Sequence, residues 1–346
     1  METSAAIPGI DEPAVTAWFA EHAAAVTPPL HFDLIAGGRS NLTFRVTDDD
    51  GHDWVLRRPP LGQVLATAHD MGREHRIISA LAATSVPVAP VVGLCTDEAV
   101  NGAPFYVMDF VDGIVVRDAS VAQQLTVAQR AAAGRSVAAT LAKIHAVDPD
   151  AVGLGELGRK EGYIARQLKR WNSQFEQSAT REVPEVTEAY QRLLSNIPEQ
   201  GAPAIVHGDY RLDNCMVNAE GEVIAVLDWE ICTLGDPLAD LGLLMVYWAE
   251  PDDPYAALPG AATTLEGFPS RADLVAEYEA AGGRPVGNLD YYVAFGYWKL
   301  ACILEGVYAR YKGGAMGDDG ADADVFGDTV RLLGQASLAA LDRVGS

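Results

Sequence analysis

VHGDYRLDNCMVN (residues 206–218) and VLDWEICTLGDPLADLG (residues 226–242) hold the densest cluster of polar, chemically capable side chains in the chain. Apolar residues flank the polar ones in both stretches. This pattern predicts short buried strands on either side of an irregular loop, residues 207–214. Buried strands hold such a loop rigidly, which a site needs if its side chains are to be placed accurately.

The residue types in these stretches favour phosphoryl transfer. Asn214, five residues after Asp209, offers an amide oxygen, and Asp228 offers a carboxylate at the end of the next strand. Both are oxygen ligands that suit Mg²⁺. Asp209 is then left to accept a proton from a hydroxyl nucleophile, and Arg211 to contact the transferred phosphoryl group. The alternative is a turn in which Asp and Asn side chains bond their own backbone.

The remainder of the chain divides by composition. Residues 1–110 predict a mostly antiparallel sheet with one inserted helix, and residues 111–346 are Ala-rich and mainly helical. A chain of 346 residues is long enough for a large hydrophobic core. We therefore predict an α+β fold with a small sheet-containing N-lobe, a larger helical C-lobe, and a hinge near residues 108–113.

These stretches carry a family resemblance. VHGDYRLDNCMVN with VLDWEICTLGDPLADLG resembles the aminoglycoside phosphotransferase family, a branch of the protein-kinase-like fold. The pairing of HGDYRLDN with LDWE and LGDPLADL resembles more closely the phosphotransferase domains associated with acyl-CoA dehydrogenases. The resemblance covers roughly residues 30–310. It implies a two-lobe kinase-like fold, Asp209 as catalytic base, Asn214 and Asp228 as Mg²⁺ ligands, and ATP or GTP as the phosphate donor.

The N-lobe has to supply the nucleotide site that this fold implies. Kinase-like folds use a strand lysine that holds the phosphates and pairs with a helix glutamate. The corresponding strand, WVLRR (54–58), has no lysine, and alternation makes Arg57 the candidate and Arg58 its outward neighbour. Arginine binds phosphate through two donors but is not equivalent to lysine. Glu74 is the predicted helix partner; solvated surface charges are the alternative for Arg57 and Glu74.

Two further N-lobe segments are candidates for nucleotide contacts. Gly38, Ser40 and Asn41 lie in the first predicted hairpin, where backbone N–H groups would cover phosphates, although a glycine-rich hairpin is also an ordinary turn. Met108 and Phe110 are assigned by the resemblance alone to the hinge that meets the adenine.

Four more polar residues are predicted to have supporting roles. His207 is expected to pack beneath the loop and bond its backbone, and Asp240 to brace the loop from behind. His145, at the end of an apolar helix face, is expected to be a hydrogen-bonded structural histidine. Asp236 is predicted to cap the helix that begins at Pro237.

The net charge limits the classes of partner. The chain has 25 Lys+Arg against 48 Asp+Glu, a formal charge of −23. Proteins that bind nucleic acids or anionic membranes usually carry an excess of Lys and Arg. We therefore expect neither a nucleic acid nor a membrane as a partner. The sequence has no apolar run long enough to span a bilayer and no signal-peptide pattern at its start. We expect a cytoplasmic protein, with its oligomeric state left open.

The acceptor is a small molecule with a hydroxyl group, and its class stays open. An aminoglycoside is polycationic and would suit an acidic C-lobe. A hydroxyacyl-CoA is polyanionic and would need a basic patch, which Lys160, Arg166, Lys169 and Arg170 offer; we favour this acceptor. The missing strand lysine also leaves a nucleotide-binding regulatory pseudokinase as an alternative from another class.

Overall fold

The computed structural model describes residues 7–36, 41–62, 70–251, 253, 262–314 and 323–344. The chain forms two compact units, Met1–Gly113 with Ile224–Glu230, and Ile114–Val223 with Ile231–Ser346. Residues 224–230 therefore pack with the first unit, although they follow the loop of the second unit in the chain. The N–H of Val226 donates to the carbonyl of Pro87 at 2.9 Å, and this bond ties the segment to that unit.

The first unit begins with helix α1 (Glu12–His22). Asp11 caps this helix by accepting a hydrogen bond from the N–H of Ala14 at 3.2 Å. The elements that follow in chain order are β1 (His31–Ala36), β2 (Leu42–Thr47), β3 (Asp53–Arg58), α2 (Met71–Leu81), β4 (Val91–Cys95), α3 (Glu98–Asn101) and β5 (Phe105–Asp109).

In the described part of this unit the strands form a five-stranded sheet in the order β1-β2-β3-β5-β4. Every neighbouring pair in it is antiparallel. Phe44, Leu56 and Val107 point into a core in which each is no more than 1% exposed. The prediction of an antiparallel sheet with an inserted helix is confirmed. Arg57 lies opposite Tyr106 in the register, near the middle of the sheet.

The second unit is mainly helical, with short strands between its helices. Its elements and the strand that leads back to the first unit are, in chain order, β6 (Ile114–Val115), α4 (Ala119–Ala122), α5 (Val127–Ala146), α6 (Tyr163–Ser178), α7 (Pro184–Ser195), β7 (Ala204–Val206), β8 (Cys215–Val217), β9 (Val223–Val226), β10 (Thr233–Gly235), α8 (Leu238–Tyr247), α9 (Arg271–Ala280), α10 (Leu289–Lys312) and α11 (Ala323–Asp342).

Helix α10 runs through the largest hydrophobic cluster of the second unit. Tyr291 and Trp298 on this helix are fully buried among side chains of α6, α7 and α11. Helices α8 and α10 approach closely where Gly242 faces Tyr292, because a Cβ at Gly242 would lie 2.5 Å from the Tyr292 backbone. Across the described residues, none of the helices combines the length and the hydropathy that crossing a membrane requires.

The close approach of α8 and α10 gives a stability prediction. G242A should destabilise the second unit by about 2–3 kcal/mol, because the new methyl group meets backbone that has no rotamer to change. Urea unfolding followed by circular dichroism measures this difference.

Gly306 on α10 is the matched control. A Cβ there would come no nearer than 3.7 Å to another group, the far end of Arg310. G306A should therefore stabilise the helix by up to about 1 kcal/mol, since glycine is a poor helix former. Equal effects of G242A and G306A would contradict the packing argument.

Candidate active site

The 207–214 loop lies between two short buried strands, as its sequence predicts. Strand β7 precedes the loop and pairs antiparallel with β10, while β8 follows it and pairs antiparallel with β6. A single 3-10 turn, Leu212–Asn214, closes the loop. The hydroxyl of Tyr210 donates to the carbonyl of Val137 on α5 at 2.8 Å and fixes the middle of the loop. The loop is therefore held at both ends and at its centre.

Asp240, in the first turn of α8, supports the loop from beneath. Its carboxylate accepts the N–H of His207 at 2.6 Å and the N–H of Gly208 at 2.8 Å. The Nε2 atom of His145 lies 3.5 Å from the same carboxylate, and the Nδ1 atom of His145 lies 2.9 Å from the Tyr278 hydroxyl. The structure agrees with the supporting roles predicted for Asp240 and His145.

The electrostatics of Asp240 favour its charged form. Burial of this 1% exposed side chain acts to raise its pKa. The hydrogen bond and charge of His145, the charge of His207 and the N–H of Gly208 act in the opposite direction, and the net result is a pKa below the ordinary value. A buried carboxylate that accepts several hydrogen bonds is stabilised in this way.

Asp209 and Asn214 are brought into direct contact. The Nδ2 atom of Asn214 donates to the main-chain carbonyl of Asp209 at 2.8 Å and to its Oδ2 atom at 3.1 Å. The N–H of Asp209 donates to the Nδ1 atom of the buried His207 at 3.3 Å. The Nε atom of Arg211 lies 3.4 Å from Asp209 Oδ2, and its guanidinium lies over the Tyr247 ring at 4.9 Å. Asp209 is thus oriented through both backbone and side chain.

A second charged cluster, in the first unit, is centred on Arg57. Its Nη1 atom lies 3.4 Å from Glu74 Oε1, and its Nη2 atom donates to Asp228 Oδ1 at 3.0 Å. Glu230 Oε2 lies 3.9 Å from Arg57 Nη2. Burial raises the pKa of Glu74 to about 7, although the Arg57 guanidinium opposes that rise. Arg57 and Glu74 are therefore partners within the protein, in contrast to solvated surface charges.

Asp228 has an unusual backbone conformation. Its φ is +62°, in the left-handed region that residues with a side chain seldom adopt. The next residue, Trp229, is 1% exposed and donates its indole N–H to the carbonyl of Val226 at 2.9 Å. The anchored indole holds the turn, and non-glycine residues in such conformations are common at functional sites.

Of the other residues predicted to contact the nucleotide, Asn41, Met108 and Phe110 each lie in or next to a strand of the first unit. Asn41 is buried at the start of β2, Met108 is half-buried in β5, and Phe110 follows β5 with the Arg45 guanidinium 4.5 Å above its ring. Gly38 and Ser40 lie outside the described residues. Their roles stay predictions.

The expectation that Arg58 points outward is wrong. Its side chain is 5% exposed and donates to the carbonyls of Gly9 and Asn101. The segment before α1 and the end of α3 cover this face of the sheet. The alternation of side chains along a single strand does not reveal such a cover.

Sequence reasoning also missed Lys299. This residue is 9% exposed in the middle of α10, and its Nζ atom donates to the carbonyl of Gly208 at 2.9 Å. A lysine within the apolar run FGYWKLACIL (295–304) was a detectable signal, because lysine is seldom fully buried without a partner.

The antiparallel sheet, the helical second unit and the loop between β7 and β8 define a protein-kinase-like phosphotransferase fold. The family model described as "Phosphotransferase enzyme family" matches residues 31–274. The chain therefore belongs to the phosphotransferase enzyme family. A solved structure from Ralstonia eutropha JMP134, described as a "putative aminoglycoside phosphotransferase", is 34% identical, with a TM-score of 0.81 over 97% of this chain and 99% of that one.

Two other similarities place the chain among its relatives. Acyl-CoA dehydrogenase family member 10 of Mus musculus is 36% identical over 289 residues, which are 82% of this chain and 27% of the relative. The chain thus spans about a quarter of that protein's length. Aminoglycoside phosphotransferase APH(4)-Ia, solved with AMP-PNP and hygromycin B, is 16% identical with a TM-score of 0.60 over 96% of this chain and 99% of that one, a likeness of fold.

The position of Asp240 gives a prediction for stability and its pH dependence. D240N should lower the free energy of unfolding by about 3 kcal/mol, because the amide cannot accept from both loop N–H groups as well. In the wild type, the pKa of Asp240 is higher in the unfolded state than in the folded state. The stabilisation that the Asp240 carboxylate contributes is therefore lost as the pH falls below about 4. Urea unfolding between pH 3 and 7 measures both effects.

Asp236 is the matched control for this prediction. Its carboxylate is also buried, but burial raises its pKa. Its contribution to stability therefore changes with pH in the opposite direction, decreasing as the pH rises through its native pKa. D236N and D240N should therefore change the pH dependence of the free energy of unfolding at acid pH in opposite directions. The same pH dependence in D240N and wild type would contradict the assignment.

Proposed function

We propose that this chain is a Mg²⁺-dependent phosphotransferase that transfers the γ-phosphoryl group of ATP to a hydroxyl of a small molecule. The observation that carries the proposal is the fixed orientation of Asp209, whose carboxylate accepts from Asn214 and whose N–H is bonded to His207. A carboxylate held in this way, in a loop between buried strands, suits the task of receiving a proton from an alcohol. Family membership supports the phosphotransferase class.

In the proposed reaction, Asp209 takes up the hydroxyl proton of the acceptor as its oxygen attacks the γ-phosphorus. The bond between that phosphorus and the β–γ bridging oxygen breaks, and ADP leaves with the electron pair. Arg211, whose Nε atom is 3.4 Å from Asp209 Oδ2, is proposed to contact the transferred phosphoryl group and stabilise its negative charge. Positioning and charge stabilisation supply most of the catalysis in phosphoryl transfer.

The donor groups of Asn214 and Asp228 fit Mg²⁺. The amide nitrogen of Asn214 is engaged by Asp209, so its Oδ1 atom points to the other side of the amide. Asp228 is 36% exposed and shares its Oδ1 atom with Arg57. Amide and carboxylate oxygens are the ligands that Mg²⁺ takes in sites where it also binds phosphates. An ion bound by either oxygen would neutralise phosphate charge.

We assign Arg57 to the phosphates of the nucleotide, with Glu74 as the residue that orients it. The guanidinium keeps its charge at any pH the protein meets, and its planar donors match phosphate oxygens. Glu74 Oε1, at 3.4 Å, fixes one edge of the guanidinium. Structures of the same fold with bound AMP-PNP, ADP or GDP support the use of a nucleotide. The choice of ATP over GTP belongs to the proposal.

The proposed base is tested by D209N. We expect kcat to fall about 10³-fold, because an amide cannot accept the proton, while ATP binding measured by calorimetry stays within a few-fold of the wild type. D213N is the matched control, since it removes a carboxylate from the same loop and should cost less than tenfold. The regulatory pseudokinase alternative predicts ATP binding with no turnover in the wild type and no difference in D209N.

We propose an anionic acceptor, a hydroxyacyl-CoA, because of the cations on and just before α6. Lys160 and Arg166 are engaged locally, since Lys160 Nζ lies 2.5 Å from Asp150 Oδ2 and Arg166 donates to the carbonyl of Arg159 at 2.6 Å. Lys169 and Arg170 are exposed on the next turn of the helix. In a chain with a formal charge of −23, this pair is the local feature that favours a polyanion.

The acceptor proposal is tested by K169Q and R170Q. Each should raise KM for a hydroxyacyl-CoA about tenfold with little change in kcat, which corresponds to one lost charge-assisted hydrogen bond of about 1.5 kcal/mol. K143Q removes an exposed lysine from α5 instead and should leave KM unchanged. Turnover of kanamycin-like amines with none of acyl-CoA alcohols would favour the aminoglycoside kinase alternative.

A further inference from the structure

Lys299 occupies an unusual position for a lysine. It lies in the part of α10 that runs through the hydrophobic cluster, between the buried residues Trp298 and Leu300, and is itself 9% exposed. Removing an ammonium group from water is costly unless hydrogen bonds and charges compensate for the lost hydration.

The contacts of Lys299 come from the 207–214 loop, from Asp240, which bonds that loop, and from α6. Its Nζ atom donates to the carbonyl of Gly208 at 2.9 Å and lies 5.7 Å from the Trp171 ring centroid. Burial lowers the pKa of Lys299; the carboxylates of Asp209 and Asp240 oppose that change, and Arg170 reinforces it. The side chain therefore connects the main core helix of the second unit with the residue that precedes Asp209.

The carbonyl that Lys299 binds belongs to the peptide bond between Gly208 and Asp209. The other half of that peptide, the N–H of Asp209, donates to His207 Nδ1 at 3.3 Å. The preceding peptide is held as well, because the N–H of Gly208 donates to Asp240 Oδ1 at 2.8 Å. Both sides of the Asp209 peptide plane are thus bonded to buried side chains.

The conformation of Gly208 gives the carbonyl contact a role in fixing the loop. Its φ is +89°, and a Cβ there would lie 3.3 Å from the carbonyl oxygen of Ile231. Glycine is freer than other residues to rotate about φ and ψ. A glycine directly before Asp209 would let the Asp209 peptide rotate, unless a donor fixes its carbonyl, and Lys299 is that donor.

We propose that Lys299 is a positioning residue for Asp209, which acts by holding the Gly208 carbonyl and thereby the plane of the peptide that carries the carboxylate. This inference rests on the proposed function only for its effect on turnover. Its effect on the loop is independent of any reaction, because the hydrogen bond exists in the protein alone.

The test uses K299M, which removes the donor but keeps the length of the side chain. We expect kcat for ATP turnover, with water or an identified alcohol as acceptor, to fall about 30- to 100-fold, since small misplacements of a reacting group have effects of this size. KM for ATP should change less than threefold. K299Q and K299R, which keep a donor, should restore kcat to within about tenfold of the wild type.

Amide hydrogen exchange is the readout that needs no activity. In K299M, peptides that cover residues 207–214 should exchange faster than in the wild type. C302A removes a buried group from the same helix, one turn further on, and should leave both kcat and exchange in this loop unchanged. Where K299M does not fold, K299Q and K299R are compared with C302A by the same two measurements.

The outcomes separate this inference from the proposed function. A K299M protein with wild-type kcat, or with unchanged exchange at residues 207–214, overturns the positioning role. A loss of kcat that neither K299Q nor K299R restores also overturns it. If the wild type turns over no ATP under any condition, the proposed function fails, and the exchange result alone then decides whether Lys299 holds the loop.

Discussion

The hydrogen bonds from the backbone of the 207–214 loop to the carboxylate of Asp240 are the interaction on which the candidate active site depends. Two successive N–H groups, those of His207 and Gly208, donate hydrogen bonds to the same buried carboxylate. A loop of this kind leaves backbone groups that neither strand nor helix can pair, and unpaired buried groups are costly. Asp240 satisfies them from the first turn of α8 and so ties the loop to the core of the second unit.

In each unit, the residues with proposed roles include side chains of opposite charge that lie next to one another. In the second unit Asp209 is next to Arg211, and in the first unit Arg57 is next to Glu74 and Asp228. Each arrangement keeps acidic groups close together while limiting their repulsion. The overall charge of −23 is therefore a poor guide to local electrostatics, since Arg57 and Arg211 each lie beside carboxylates.

The motifs predicted much of the fold and some of the site. The alternation of apolar residues predicted the antiparallel sheet, and the spacing of Asp209 and Asn214 predicted residues that prove to be in contact. The sequence did not reveal that Arg58 is buried, because the covering residues Gly9 and Asn101 are distant in the chain. Residues 224–230 lie in the first unit through a contact of the same kind, since the N–H of Val226 donates to the carbonyl of Pro87.

The sequence by itself determined the family, the strands that flank the loop, and the types of side chain available for chemistry, because these follow from local patterns and residue identity. Only the tertiary structure decided which groups contact and orient the side chains that have proposed roles. The left-handed backbone of Asp228, the pairing of Arg57 with Asp228 and the bond from Lys299 to Gly208 each join or shape segments through contacts that no local pattern encodes. Burial makes these contacts strong, and burial is a property of the folded chain.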